Sequence, residues 1–162
     1  MTDNLTIARI PADFDRWTEL LALIRSAFAY MDGVIDPPSS AHRLTPQSLA
    51  EKAGAEVGFL AMRGDDLLGC IFVAERPESF YVGKLAVAEA ARGLGVGRQL
   101  MQAAEAHARS NGKPVIELET RIELKRNHAT FRALGFEEAK RTSHPGYDRV
   151  TSITFRKSLG AA

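Results

Sequence analysis

Between Leu85 and Leu100 the chain reads LAVAEAARGLGVGRQL, and no other stretch limits the fold as strongly. A short apolar run ends at Val87, the link Ala88-Glu89-Ala90-Ala91 follows, and Arg92 leads into Gly93, Gly95 and Gly97 before an amphipathic helical pattern begins. Apolar run, gap and helix in that order describe a strand feeding a helix. Alternate glycines strip side chains from the turn, so the backbone can approach a bound group closely. Their N–H groups and the positive end of the following helix together suit an anion such as a phosphate or pyrophosphate. Arg92 adds a guanidinium able to fork onto phosphate oxygens.

Two common glycine loops do not match. A P-loop ends in Gly-Lys-Ser/Thr, whereas Gly97 is followed by Arg98 and Gln99. The dinucleotide fingerprint is GxGxxG directly after a strand, and Gly93, Gly95 and Gly97 are spaced GxGxG. The pattern that fits is R-x-x-G-x-G, filled by Arg92, Gly95 and Gly97. It resembles the acetyl-CoA-binding motif of the GNAT superfamily of N-acetyltransferases. The resemblance runs along nearly the whole chain. A strand, Lys113 to Thr120, follows the motif helix, and a later helix closes with Phe131-Arg132-Ala133-Leu134-Gly135-Phe136. That closing segment is similar to the family's Y-x-x-L-G-F, with Phe131 where tyrosine is usual.

Periodicity supplies the other elements. Leu5 to Ile10 reads as a first or edge strand. Phe14, Trp17, Leu21, Ile24 and Phe28 recur at helical spacing, which predicts a helix from Asp13 to about Tyr30. Met31 to Leu44 is a loop, since Pro37 and Pro38 forbid helical continuation. Thr45 and Pro46 have the residue types of an N-cap and first helical position, so they open a short helix. Val57 to Met62 and Leu67 to Ala74 are strands joined through Arg63-Gly64-Asp65-Asp66. Ser79 to Val87 is the strand before the glycine loop. Gly95 to Ser110 is the motif helix, with Leu100, Met101, Ala104 and Ala108 inward and Asn111-Gly112 as its cap. Its two flanking strands are then parallel, joined by a right-handed crossover. Arg126 to Leu134 is helical, capped by Gly135, and two strands follow between Phe136 and Lys157. The order β-α-α-β-β-β-α-β-α-β-β is mixed α/β rather than doubly wound, because three strands run consecutively before the crossover. With the resemblance, this predicts a GNAT-like α+β fold: a mixed, mostly antiparallel central sheet of about seven strands, with helices on both faces.

The resemblance implies a site. Leu85, Ala86 and Val87 would offer backbone groups to the pantetheine arm of acetyl-CoA, and an N–H near Val87 would face the thioester oxygen. Arg92, Gly93, Leu94, Gly95, Val96, Gly97 and Arg98 would hold the pyrophosphate. The reaction implied is direct attack of a primary amine, on a small molecule or a peptide, upon the acetyl thioester. Acetyl-CoA is the co-substrate, and no metal is implied. Phe131 has no hydroxyl with which to protonate the leaving thiolate. Tyr147 and His144, in the loop between the last two strands, are the first candidates for proton transfer, though loop packing is the simpler role for each. The family's helical asparagine aligns with Leu124, and Asn127, three residues on, is the alternative contact to the pantetheine arm. Phe131 serves equally as core or as a pantetheine contact.

Other side chains have simple readings. Cys70 lies in an apolar strand as a small buried hydrophobe. Asp32 and Asp36 suit turns. Glu117 and Glu119 alternate with Ile116 and Leu118 as the polar face of a strand, and one of them could act as a base through water.

Composition narrows the class. With 162 residues, 45% of them hydrophobic and 25% charged, residues 1–162 are read as one globular domain. A formal net charge of +1 offers no basic stripe for a nucleic acid. No apolar run reaches membrane-spanning length, and Met1 to Pro11 lacks the plan of a signal peptide. A single cysteine fits a reducing cytoplasm. The expected partner is an amine acceptor, with no nucleic acid or membrane, and the resemblance admits a homodimer. Two rivals stand beside the acetyltransferase: a non-catalytic acyl-CoA-binding or sensor module, favoured by Phe131 and the displaced asparagine, and a dinucleotide-binding oxidoreductase with Glu117 or Glu119 on the ribose. Glycine spacing and the hairpin before the motif disfavour the second.

Overall fold

A computed structural model describes residues 4–160. Its strands are β1 (Leu5–Arg9), β2 (Val57–Arg63), β3 (Asp66–Glu75), β4 (Phe80–Val87), β5 (Val115–Arg121), β6 (Glu137–Thr142) and β7 (Ser152–Ser158). Its helices are α1 (Trp17–Phe28), α2 (Pro46–Ala55), α3 (Val96–Ser110) and α4 (Lys125–Ala133). The strands form one sheet in the order β1-β2-β3-β4-β5-β7-β6. Only β4 and β5 pair in parallel, across the α3 crossover; every other pair is antiparallel. Element order and the single crossover match the expectation from the sequence.

Two apolar layers clothe the sheet. On one face α3 sets Val96, Leu100, Met101, Ala104 and Ala108 against Ile71, Val73, Ile116, Leu118, Ile153 and Phe155. On the other, Leu20, Leu21 and Ile24 of α1 and Leu49 of α2 cover Leu60, Cys70, Phe72 and Ala86. Alternation along β3 and β4 puts neighbouring residues into opposite layers, so both faces are buried. Cys70 lies fully in the second layer, and burial pushes its thiol pKa up to about 12.

Local chemistry explains the helix ends. Thr45 accepts from the Ser48 backbone while the Ser48 hydroxyl accepts from the Thr45 N–H, a complete capping box with Pro46 at the first position. Gly95 precedes α3 at φ +79 and Gly112 follows it at φ +73. The first helix is shorter than its apolar stripe. Phe14 falls outside it and packs edge-on against Trp17, ring centroids 4.7 Å apart, while the C-terminal end tightens into a 3-10 turn over Ala29–Met31. Among the described residues no helix is long and apolar enough to cross a membrane.

Two irregularities make the site. Pairing between β4 and β5 is confined to Phe80↔Ile116 and Tyr81↔Glu117. Beyond those pairs the strands part, leaving the β4 edge from Val82 onward without a partner strand. The second irregularity lies in β4, whose register against β3 moves from Cys70↔Ala86 to Phe72↔Gly83. One extra β4 residue fits between those pairs, which is a bulge. Lys84 sits there at φ +50, and its carbonyl accepts from the Cys70 thiol at 3.4 Å.

Candidate active site

The gap between β4 and β5 opens into a cavity of roughly 780 Å³. Val82 to Leu85 form one wall and Leu118 to Arg121 the opposite one. Leu124, just before α4, and Asn127 and Phe131 on it close it from the side, and the segment from Phe28 to Leu44 roofs it. Leu85, Asn127, Phe131 and His144 therefore line one space. Ala86 and Val87 continue the unpaired edge away from the cavity, toward the glycine loop.

At the far end of that edge lies the glycine loop, with several backbone N–H groups free. Arg92, Gly93, Leu94 and Gly95 are exposed, and Val96 anchors the first turn of α3 in the core. The N–H of Arg92 donates to Glu89 and that of Leu94 to Ala91, so these two hold the loop's shape. The N–H groups of Gly93, Gly95, Val96, Gly97 and Arg98 find no backbone acceptor, the state of a helix N-terminus that can take an anion. A Cβ built on Gly95 would stand in open space, so φ +79 is what favours glycine there. Open space above unpaired N–H groups fits a phosphate group, and the bare β4 edge between loop and cavity fits an extended arm added like a strand.

Inside the cavity the structure separates residues the sequence left together. Glu119 lines it, whereas Glu117 faces Arg156, 3.8 Å away. His144 lines it too, with its backbone N–H and ring both on Thr151 Oγ1. Burial, aided by the Arg121 charge, holds the His144 pKa below its ordinary value, so the imidazole is neutral at pH 7. Tyr147 is not among the lining residues. The Pro145-Gly146 turn carries its phenol outward to Asp36, where Oη donates to Oδ1 at 2.6 Å. Asp36 also receives Arg149, at 3.0 Å on its carbonyl and 3.3 Å on Oδ2. Arg121 donates to the carbonyls of Pro37 and Pro38. The 31–44 loop is thus pinned to β5 and to the β6–β7 connection, and Asp36 does more than shape its own turn.

Several lining residues carried no signal in the sequence. Tyr30 extends from the turn after α1, and its hydroxyl accepts from Asn127 Nδ2 at 3.0 Å. Asn127 and Phe131 are one turn apart on α4, and Tyr30 and Phe131 line the same cavity. Phe131 itself stacks with Phe136 and Phe155, centroids 5.9 and 6.2 Å away. Thr120 is buried on the β5 wall with its hydroxyl unpartnered. Lys84 reaches across from the β4 bulge to Ser40 Oγ at 2.6 Å.

A mixed sheet that parts beside a helix N-terminus with free N–H groups fits an acyl-CoA-dependent acyltransferase. Residues 17–136 match the model of the GNAT acetyltransferase family, and the chain belongs to that family. A protein named IAA acetyltransferase from Azospirillum brasilense is 33% identical over 138 residues, covering 83% of this chain and 86% of its own. Among solved structures, a GNAT-family acetyltransferase of Staphylococcus aureus MU50 superposes with a TM-score of 0.75 at 17% identity, over 97% of this chain and all of that one. One from Elizabethkingia anophelis, with acetyl-CoA bound, does so with a TM-score of 0.68 at 18% identity, over 97% of this chain and 99% of that one. At these identities the structural likeness speaks to the fold.

Proposed function

We propose that this protein is an N-acetyltransferase, acting in the cytoplasm, that moves an acetyl group from acetyl-CoA to a primary amine by direct attack. The observation that carries this reading is the parting of β4 from β5, which connects an unpaired strand edge and a free helix N-terminus to a cavity holding Glu119. Acetyl-CoA supplies an activated acyl carbon and a thiolate leaving group. The free N–H groups of Gly93, Gly95, Val96, Gly97 and Arg98, with the Arg92 side chain, would hold its phosphates, and the β4 edge at Leu85, Ala86 and Val87 its pantetheine arm.

The chain's own groups account for the protons. The amine nitrogen forms the new C–N bond as the C–S bond breaks, so one proton must leave nitrogen and one must reach sulfur. Glu119, without an ion-pair partner among the described residues, takes the first directly or through water. His144, neutral and on the same cavity, is the second acceptor. Tyr30 supplies the proton for sulfur: Asn127 donates to its oxygen, which leaves the phenolic hydrogen free to point elsewhere. Tyr147, committed to Asp36, has the weaker claim.

Phe131 favours a second reading, a non-catalytic acyl-CoA-binding module, because its ring packs in the core and carries no hydroxyl. Thiol release from acetyl-CoA across a panel of primary amines, with the acetylated product identified by mass spectrometry, separates the two. Amine-dependent release supports the transferase. Tight acetyl-CoA binding with no release for any amine supports the module.

A further inference from the structure

The cavity is unevenly charged. Arg43, Lys52, Lys84 and Arg121 line it, against Glu119 as the one carboxylate among its lining residues. Lys52 is neutralised by Glu56 at 2.7 Å. The other three cations have no carboxylate within ion-pair distance among the described residues. Lys84 donates to a hydroxyl, Arg121 to two backbone carbonyls, and Arg43 to no acceptor among the described residues.

Lys84 is the most telling of these. It occupies the left-handed region at φ +50, where glycine or asparagine would sit with less strain. The bulge that imposes this conformation also turns the side chain across the mouth of the β4–β5 gap, toward Ser40. Burial lowers the Lys84 pKa, and the Lys52 and Arg43 charges lower it further. A half-buried ammonium among cations gains most from an anion that no protein group provides. The Thr120 hydroxyl, buried on the facing strand without a partner, is a further unused polar group on the same cavity. Phe28, Met31, Ile35 and Leu44 supply an apolar wall.

We propose that the acceptor is an amino acid or close analogue, an apolar molecule carrying a carboxylate beside its amine. Lys84 and Arg43 bind the carboxylate, with the Arg121 charge facing them from β5, and the amine is presented to Glu119. Lys84 and Glu119, on opposite walls, thus orient the acceptor by opposite charge. This inference rests on the acetyl-transfer reading above and narrows its acceptor. A peptide N-terminus, which has an amide where the carboxylate would be, is the outcome the charge pattern disfavours.

Matched sets test it: phenylalanine, phenylalaninamide and phenethylamine, and methionine, methioninamide and 3-(methylthio)propylamine. Each is titrated calorimetrically into the full-length protein saturated with CoA, and each is assayed for thiol release from acetyl-CoA. The acid should exceed its amide and amine in affinity and in kcat/KM by at least about tenfold, the scale of a charge-assisted hydrogen bond. Lys84→Met, and separately the exposed Arg43→Gln, should reduce that preference to within about threefold. Equal or better binding of the amide or amine overturns the proposal, as does a preference untouched by both substitutions. Carboxylate-selective binding without thiol release keeps the anion site and overturns acetyl transfer. Thiol release without carboxylate preference does the reverse, and neither binding nor release overturns both.

Discussion

Tyr147 Oη donates to Asp36 Oδ1 at 2.6 Å, joining two loops that lie 111 residues apart in the chain. The bond to Asp36 lifts the phenol's pKa above its ordinary value of 10.0, so Tyr147 stays protonated through the neutral range and acts as a latch. Arg149 reinforces it from the same loop. Tyr147→Phe should therefore raise KM for the acceptor about three- to tenfold and leave kcat within about threefold, the pattern of lost positioning. A fall in kcat of about 10²-fold or more at unchanged KM would assign Tyr147 the proton transfer instead.

Tyr30 carries the opposite expectation. If its phenol protonates the departing sulfur, Tyr30→Phe lowers kcat by about 10²- to 10⁴-fold with acetyl-CoA affinity nearly intact. Adding Phe131→Tyr to that variant places a hydroxyl on α4 and should restore part of the loss. Steady-state kinetics with calorimetry on each variant decides it, and a fully active Tyr30→Phe enzyme would remove the role.

Gly95 tests the anion site through the backbone. An alanine there meets no neighbour within 4 Å but must hold φ +79, a strain of about 1–2 kcal/mol that a folded core can absorb. Its methyl group enters open space at the surface of the loop. CoA affinity should fall at least about tenfold while circular dichroism stays native. Unchanged CoA affinity in folded Gly95→Ala would refute the assignment.

Arg92 tests the same site through charge. Its side chain is exposed on the loop, so Arg92→Ala should leave the fold intact. Loss of a charge-assisted phosphate contact, about 1.5–3 kcal/mol, should weaken CoA roughly ten- to hundredfold while phosphate-free pantetheine analogues change little. Equal weakening of all analogues would show that Arg92 only shapes the loop.

His144 gives the pH dependence. Burial first, and the Arg121 charge second, favour its neutral form in the folded protein. Well above the ordinary value of 6.5 the imidazole is neutral whether the chain is folded or not, and it adds nothing to the pH dependence of stability. As pH falls below 6.5 the unfolded chain binds the proton first, so the native state loses stability until its own lower pKa is passed. An NMR titration should place the His144 midpoint below 6.5, and Arg121→Gln should move it upward. A midpoint at or above 6.5 would contradict the geometry.

Much of the fold was legible in residues close together in the chain. Three consecutive strands, one crossover and the left-handed Gly112 after α3 follow from apolar period and turn chemistry, both of which act over a few residues. Thr45 and Pro46 predicted the start of α2 for the same reason, and Ser48 completed the cap. The first helix was overextended because Phe14 continues the apolar stripe. Whether such a residue packs from inside a helix or from just before it depends on Trp17 and on where the preceding turn aims it.

Local pattern by itself determined that this chain builds a strand, a glycine-rich loop and a helix in one continuous stretch, since those features need only neighbours in sequence. Tertiary structure alone decided which side chains share the cavity. Glu117 and Glu119 are equivalent in alternation, yet β5 pairs with β7 so that Glu117 faces Arg156 while Glu119 lies past the last β4 pair, on the open side. Lys84 is an ordinary strand residue in the sequence; only pairing with β3 creates the bulge that turns it. Tyr30 and Asn127, 97 residues apart, meet because α1 and α4 approach the same gap from different ends of the chain. Contacts of that range are set by how elements pack, and no short stretch of sequence records them.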